Sequence, residues 1–254
     1  MGHNRLPRLP TSRNWQQVVQ LLEASAPPQD IVAQAAVAAQ RSFQSAADDP
    51  VYVEAIRILI ALAQAGQTDD SGPSLRRQGV NLNQSETLFD LLDAVSKRLE
   101  DVSRTYNGAS DLGELSSRAL LTTLHTRLLD RMPGLFAEQS GDLANALRHF
   151  SGPIGFSELS RSFFTAMTSE TLAYWLERTL SAQVDDIGTR DAFDGALHQF
   201  SAEATRIIKE FSSGWYAKHA LNVESAPVEA VRGFAAVAFK KINDELSRKT
   251  GVND

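Results

Sequence analysis

A chain of 254 residues without a cysteine can hold no disulfide, zinc ribbon, cysteine-ligated cluster or thiol nucleophile, yet it is long enough to bury roughly two-thirds or more of its unfolded surface without a covalent staple. A formal net charge of -6 argues against a globally basic face of the kind that holds nucleic acid by counterion release. The longest apolar runs, ILIALA at 58–63 and FAAVAF at 234–239, fall well short of the roughly 18 residues a membrane span needs, so a cytoplasmic chain with no membrane partner is expected.

In chain order, the first unusual stretch is RLPRLPTSR, which carries Arg5, Arg8 and Arg13 with no acid before Glu23. Two Leu-Pro pairs bias it toward extended or polyproline II backbone, so residues 1–13 are expected to form a basic arm that lies along a partner or reaches a phosphate backbone. A frayed terminus is the plainer alternative. Three- and four-residue spacing of apolar side chains then runs through almost all of the remaining sequence, and sustained alternation is absent. The fold class expected is all-α, an irregular multi-helix bundle of about nine to eleven helices with no sheet.

Residues 14–66 read as a small N-terminal helical subdomain. It comprises a helix from about Asn14 to Ala24, an alanine-rich one from Asp30 to Ala46, and DDPVYVEAIRILIALAQAG, in which Asp49 caps, Pro50 opens and Gly66 follows the end. Apolar residues on more than one face of this third helix predict burial on several sides. Residues 67–83, rich in Gly, Pro, Asp and Ser, read as a long loop.

Residues 84–254 read as the main helical domain. Its first two helices, capped by Asn83 or Ser85 and stopped at Pro133, flank a short NGAS turn and are expected to form an antiparallel hairpin. A short helix near 142–150 follows. Then come two helices split near Thr168 with Ser169 as cap, one long helix from Thr189 to about Ala220, and a last one capped by Ser225.

Within that long helix, Phe193, Leu197, Phe200, Ala204, Ile207 or Ile208, Phe211 and Trp215 make one stripe, the signature of a buried face. Gly214 in mid-helix, at about 1 kcal/mol against alanine, suggests a close crossing, a kink or an early end. Lys218 and His219 continue the stripe where apolar residues should have followed, so Trp215, Tyr216, Lys218 and His219 form the candidate contact site for an anionic ligand or a partner's carboxylate. The competing reading is that both basic groups complement the carbonyl end of the helix.

Asp194 and His198 share the four-residue spacing of helical metal ligands, but one such pair selects for nothing, and no metal is expected. No nucleophile elbow or phosphate-cradling glycine loop is present, and neither a catalytic residue nor a cofactor is expected. The leading functional expectation is therefore a non-enzymatic interaction or assembly subunit of a cytoplasmic multi-protein complex. The expected partner is another protein, with self-association also considered. A nucleic-acid accessory protein using the arm with Lys240, Lys241, Arg248 and Lys249 is the first alternative. A small-ligand binder or enzyme at Trp215, Lys218 and His219 is the second.

Overall fold

The computed structural model describes residues 12–44, 48–83, 86–106, 110–132, 141–180 and 187–250. Among these residues the chain forms eleven helices and no strand: α1 (Arg13–Glu23), α2 (Pro28–Gln44), α3 (Pro50–Ala65), α4 (Ser71–Arg77), α5 (Leu88–Thr105), α6 (Asp111–Leu129), α7 (Asp142–Phe150), α8 (Pro153–Leu180), α9 (Ile187–Ala204), α10 (Arg206–His219) and α11 (Val228–Thr250). The all-α bundle follows from the periodicity, and no helix among the described residues is long and apolar enough to cross a membrane.

The centre of the bundle is α3. Asp49 caps it, accepting from the amides of Val51 and Tyr52 at 2.9 Å, with Pro50 supplying the fixed φ of the first turn. Thirteen of its sixteen residues are buried, as a helix apolar all round requires, and it lies against α4, α5, α6, α7, α8 and α11. Ser110, which caps α6 by accepting from Gly113 N at 2.8 Å, also hydrogen-bonds the Asp49 carboxylate and so ties the starts of α3 and α6 together. α2 in turn packs on α1, α8, α9 and α11, and residues of 14–66 and of 84–254 belong to a single hydrophobic cluster.

The expected hairpin is present. Ser96, Leu99 and Ser103 of α5 share a cleft with Gly113 and Ser117 of α6, so the end of one helix faces the beginning of the next, as in an antiparallel pair.

Several local expectations are corrected. Arg13 opens α1 and is helical rather than part of an extended arm; Arg5 and Arg8 lie outside the described residues. The stretch 67–83 contains α4 rather than running as a loop throughout. α5 is capped by Thr87 and Asp90 in a reciprocal capping box, not by Asn83 or Ser85.

α8 is continuous through Thr168 and Ser169. Its hydroxyls are absorbed inside the helix, Thr165 donating to the Arg161 carbonyl and Thr171 to that of Met167 at 2.8 Å each, so neither has to cap a new start. The long helix expected from 189 to 220 is instead broken at Thr205, between α9 and α10. There the Thr205 hydroxyl donates to the Ser201 carbonyl at 2.8 Å and meets the Thr165 hydroxyl of α8 at 2.7 Å.

Candidate functional site

The segment 209–222 divides differently from its stripe. Tyr216 is the fully buried ring (0% exposed), whereas Trp215 is half-buried against the core. Tyr216 stacks on Phe156 at 4.4 Å and its hydroxyl accepts from Gln67 Nε2 at 2.6 Å. Burial pushes its phenol pKa up, outweighing that hydrogen bond, which acts the other way. Trp215 packs on Phe234 at 4.6 Å and carries the His219 ring stacked on it at 5.3 Å.

Lys218 is exposed, and no hydrogen bond or ion pair joins it to another described residue. Gly214 is exposed too, and a Cβ there would meet nothing within 4 Å. The helix runs on to His219, so neither a close crossing nor an early end explains this glycine, and nothing in the structure requires it. The four residues thus spread over core, rim and solvent rather than converging.

Elsewhere among the expected residues, Asp194 and His198 are both exposed, and no group of three metal-ligating side chains occurs among the described residues. Lys241 holds its ammonium 5.5 Å from the centre of the Phe211 ring, Arg248 pairs with Glu245 at 3.0 Å, and Lys240 is exposed.

Polar groups do converge in a recess between α3, the turn after α4, α5 and the chain entering α11. It encloses about 420 Å³ and is lined by Arg57, Arg77 and Arg98, by the amides of Gln64 and Gln78, and by apolar Ile60, Val228 and Val231. Glu54, its side chain 10% exposed, anchors two of these guanidiniums. It accepts from Arg57 at 2.6 and 2.8 Å and from Arg98 Nε at 2.6 Å. Burial alone would raise the carboxyl pKa; the hydrogen bonds and charge of Arg57 and then Arg98 reverse the sign and hold it below the ordinary carboxylate range. Arg77 reaches across the mouth to Glu224 at 2.6 Å in an exposed pair.

The turn after α4 is built for this geometry. Gly79 adopts φ +81, and the Val80 amide bonds back to the Leu75 carbonyl while Gly79 bonds to Arg76, both at 3.0 Å. This is a Schellman closure whose left-handed position favours glycine. It sets Gln78 and Gly79 opposite Arg98. The signal was present in LRRQGV, a basic last turn followed by Gly, but a helix of seven residues shows too little periodicity to stand out.

Two amide groups in the recess are incomplete. Gln64, 3% exposed, donates its Nε2 to the carbonyls of Ala220 and Val223 at 3.2 and 3.1 Å, which fixes the amide orientation and leaves Oε1 without a donor among the described residues. Gln78 Nε2 is buried without an acceptor among the described residues. An orphaned buried polar group costs about 1–3 kcal/mol, so each gains from a partner that the described residues do not supply. No protein-family model matches this chain, and neither does any curated protein or solved structure.

Proposed function

We propose that this protein works by association, as a helical interaction subunit whose recess between α3 and α11 receives an extended acidic segment of a partner polypeptide. The observation that carries this reading is the pair of unmet amide groups, an acceptor on Gln64 and a donor on Gln78, lining one recess. A peptide backbone offers the complementary donor and acceptor at every residue. The guanidiniums of Arg57, Arg77 and Arg98 outnumber by one the carboxylates of Glu54 and Glu224 that they meet, and that excess supplies the attraction for a carboxylate side chain or chain terminus, with arginine's planar fork suited to both. Val228, 59% exposed, and Val223, 42% exposed, stand ready to be covered. The volume lies within the range of pockets that hold ligands.

Selection from a displayed peptide library, followed by fluorescence anisotropy of the selected peptides, tests the reading. Acidic peptides are expected, with binding weakened by Gln78→Leu and abolished by Val228→Glu while the helical circular dichroism is kept. An empty selection, or peptides that bind Val228→Glu as well as the parent chain, would refute it.

A further inference from the structure

A second cavity of about 440 Å³ opens between α6, α8 and α9, sharing no lining residue with the recess above. Its charge is unusual for an acidic protein. Arg127 comes from α6 and Arg161 from α8, and no carboxylate is among the lining side chains. Arg57, Arg76, Arg77, Arg98 and Arg118 each meet a carboxylate. Among the described residues Arg127 and Arg161 meet only neutral oxygens, Arg127 Nε donating to the Ser162 hydroxyl at 2.6 Å and Arg161 to the Ala202 carbonyl at 3.2 Å. Their remaining N–H groups have no partner among the described residues.

An independent observation lies in the same cavity. Thr123 is 3% exposed, lines the same cavity, and its hydroxyl has no hydrogen-bond partner among the described residues. His198 adds an imidazole at the α9 side. A buried hydroxyl left unmet in a cavity with two guanidiniums that face no carboxylate, Arg127 at its exposed rim and Arg161 half-buried, describes half of a site.

We infer that this cavity binds a small phosphomonoester, with Arg127 and Arg161 holding the phosphate, the Thr123 hydroxyl donating to one of its oxygens, and His198 closing the open side. A tetrahedral dianion has enough acceptor positions to occupy two guanidinium forks and a hydroxyl together, which a single carboxylate does not. The cavity is larger than phosphate itself requires, and Thr122 and Thr126 on its wall suit a hydroxylated carbon skeleton. The site is independent of the peptide recess and stands or falls separately.

Isothermal titration calorimetry of the full chain with inorganic phosphate, glucose 6-phosphate and glucose is the test. Binding of phosphate, at least tenfold tighter binding of the sugar phosphate, and none of glucose are expected. Arg127→Gln and Arg161→Gln should each weaken binding tenfold or more.

Thr123→Val separates binding from stability, because a methyl in place of an unmet hydroxyl leaves the melting temperature unchanged or raised while weakening phosphate binding severalfold. A readout needing no variant is the side-chain Nε–H resonances of Arg127 and Arg161, which should shift on phosphate addition. The proposal is overturned by an absence of heat and of resonance shift at tens of millimolar phosphate. Equal affinity in parent and Arg161→Gln chains, or sulfate and sugar phosphate binding alike, would overturn it too.

Discussion

Replacing Gly66 by alanine sets two effects of opposite sign against each other. Gly66 follows the last residue of α3 in ordinary right-handed backbone, φ -66, where any L-residue is comfortable. The substitution alone would stabilise by about 0.4–1 kcal/mol, through loss of unfolded-state entropy. The packing of α3 on α7 reverses this. A Cβ at position 66 would sit 2.3 Å from the Leu147 carbonyl oxygen, 2.6 Å from its carbon and 3.1 Å from the Arg148 nitrogen. These are backbone atoms inside a helix, so no side chain can swing aside and α7 must move as a body.

Overpacking of this kind costs about 1–3 kcal/mol or more, so the net change is destabilising despite the entropic gain. Gly214→Ala is the matched control, since its Cβ enters open space in the body of α10 and should stabilise by about 0.5–1 kcal/mol. Urea denaturation followed by circular dichroism measures both. At this size each kcal/mol corresponds to roughly 2–4 °C in melting temperature. A neutral or stabilising Gly66→Ala would refute the close approach of α3 and α7, and with it the placement of Gln64 two residues before Gly66.

Three further outcomes follow from the same structure. Glu54→Gln leaves two guanidiniums sharing a neutral amide and should destabilise by about 3 kcal/mol, the low end for a buried pair because the Arg98 side chain is 37% exposed. With its carboxyl pKa lowered by folding, Glu54 contributes stability fully present above the unfolded carboxylate value and lost as pH falls through the folded one; denaturation midpoints measured into the acid range should show that component in the parent and not in Glu54→Gln.

Burial raises the pKa of Tyr52, and burial against an opposing hydrogen bond raises that of Tyr216. Their contribution to stability is present below the unfolded value of about 10 and declines as pH rises beyond it. Phenolate absorbance should show two of the four tyrosines ionising only as the fold is lost, and four titrating together near 10 would contradict their burial. Tyr216→Ala should cost about 3–5 kcal/mol and exceed Trp215→Ala, whereas Lys218→Ala should stay within about 0.5 kcal/mol of the parent chain; equal losses at 215 and 216 in thermal denaturation would argue for the continuous stripe instead.

What the sequence determined by itself was the class of object. Apolar side chains at helical spacing, with Asp49, Pro50 and Gly66 punctuating α3, encode local geometry, because capping and periodicity act over a few residues. It also marked α3 as buried on several sides, since apolar residues on all faces cannot otherwise be kept from water. The interruptions were not legible. Thr205 breaks a helix and Thr168 does not, although both are hydroxyl residues within apolar stripes; the Thr205 hydroxyl reaches Thr165 of α8, a contact that no local spacing encodes.

The convergent polar groups were hidden for a similar reason. Glu54, Gln64, Gln78 and Arg98 are scattered across two helices and a turn, and no spacing along the chain distinguishes them from solvated surface residues. Only the tertiary arrangement removes Gln64 and Thr123 from water, and it is that removal which turns an unremarkable amide and hydroxyl into groups that require a partner.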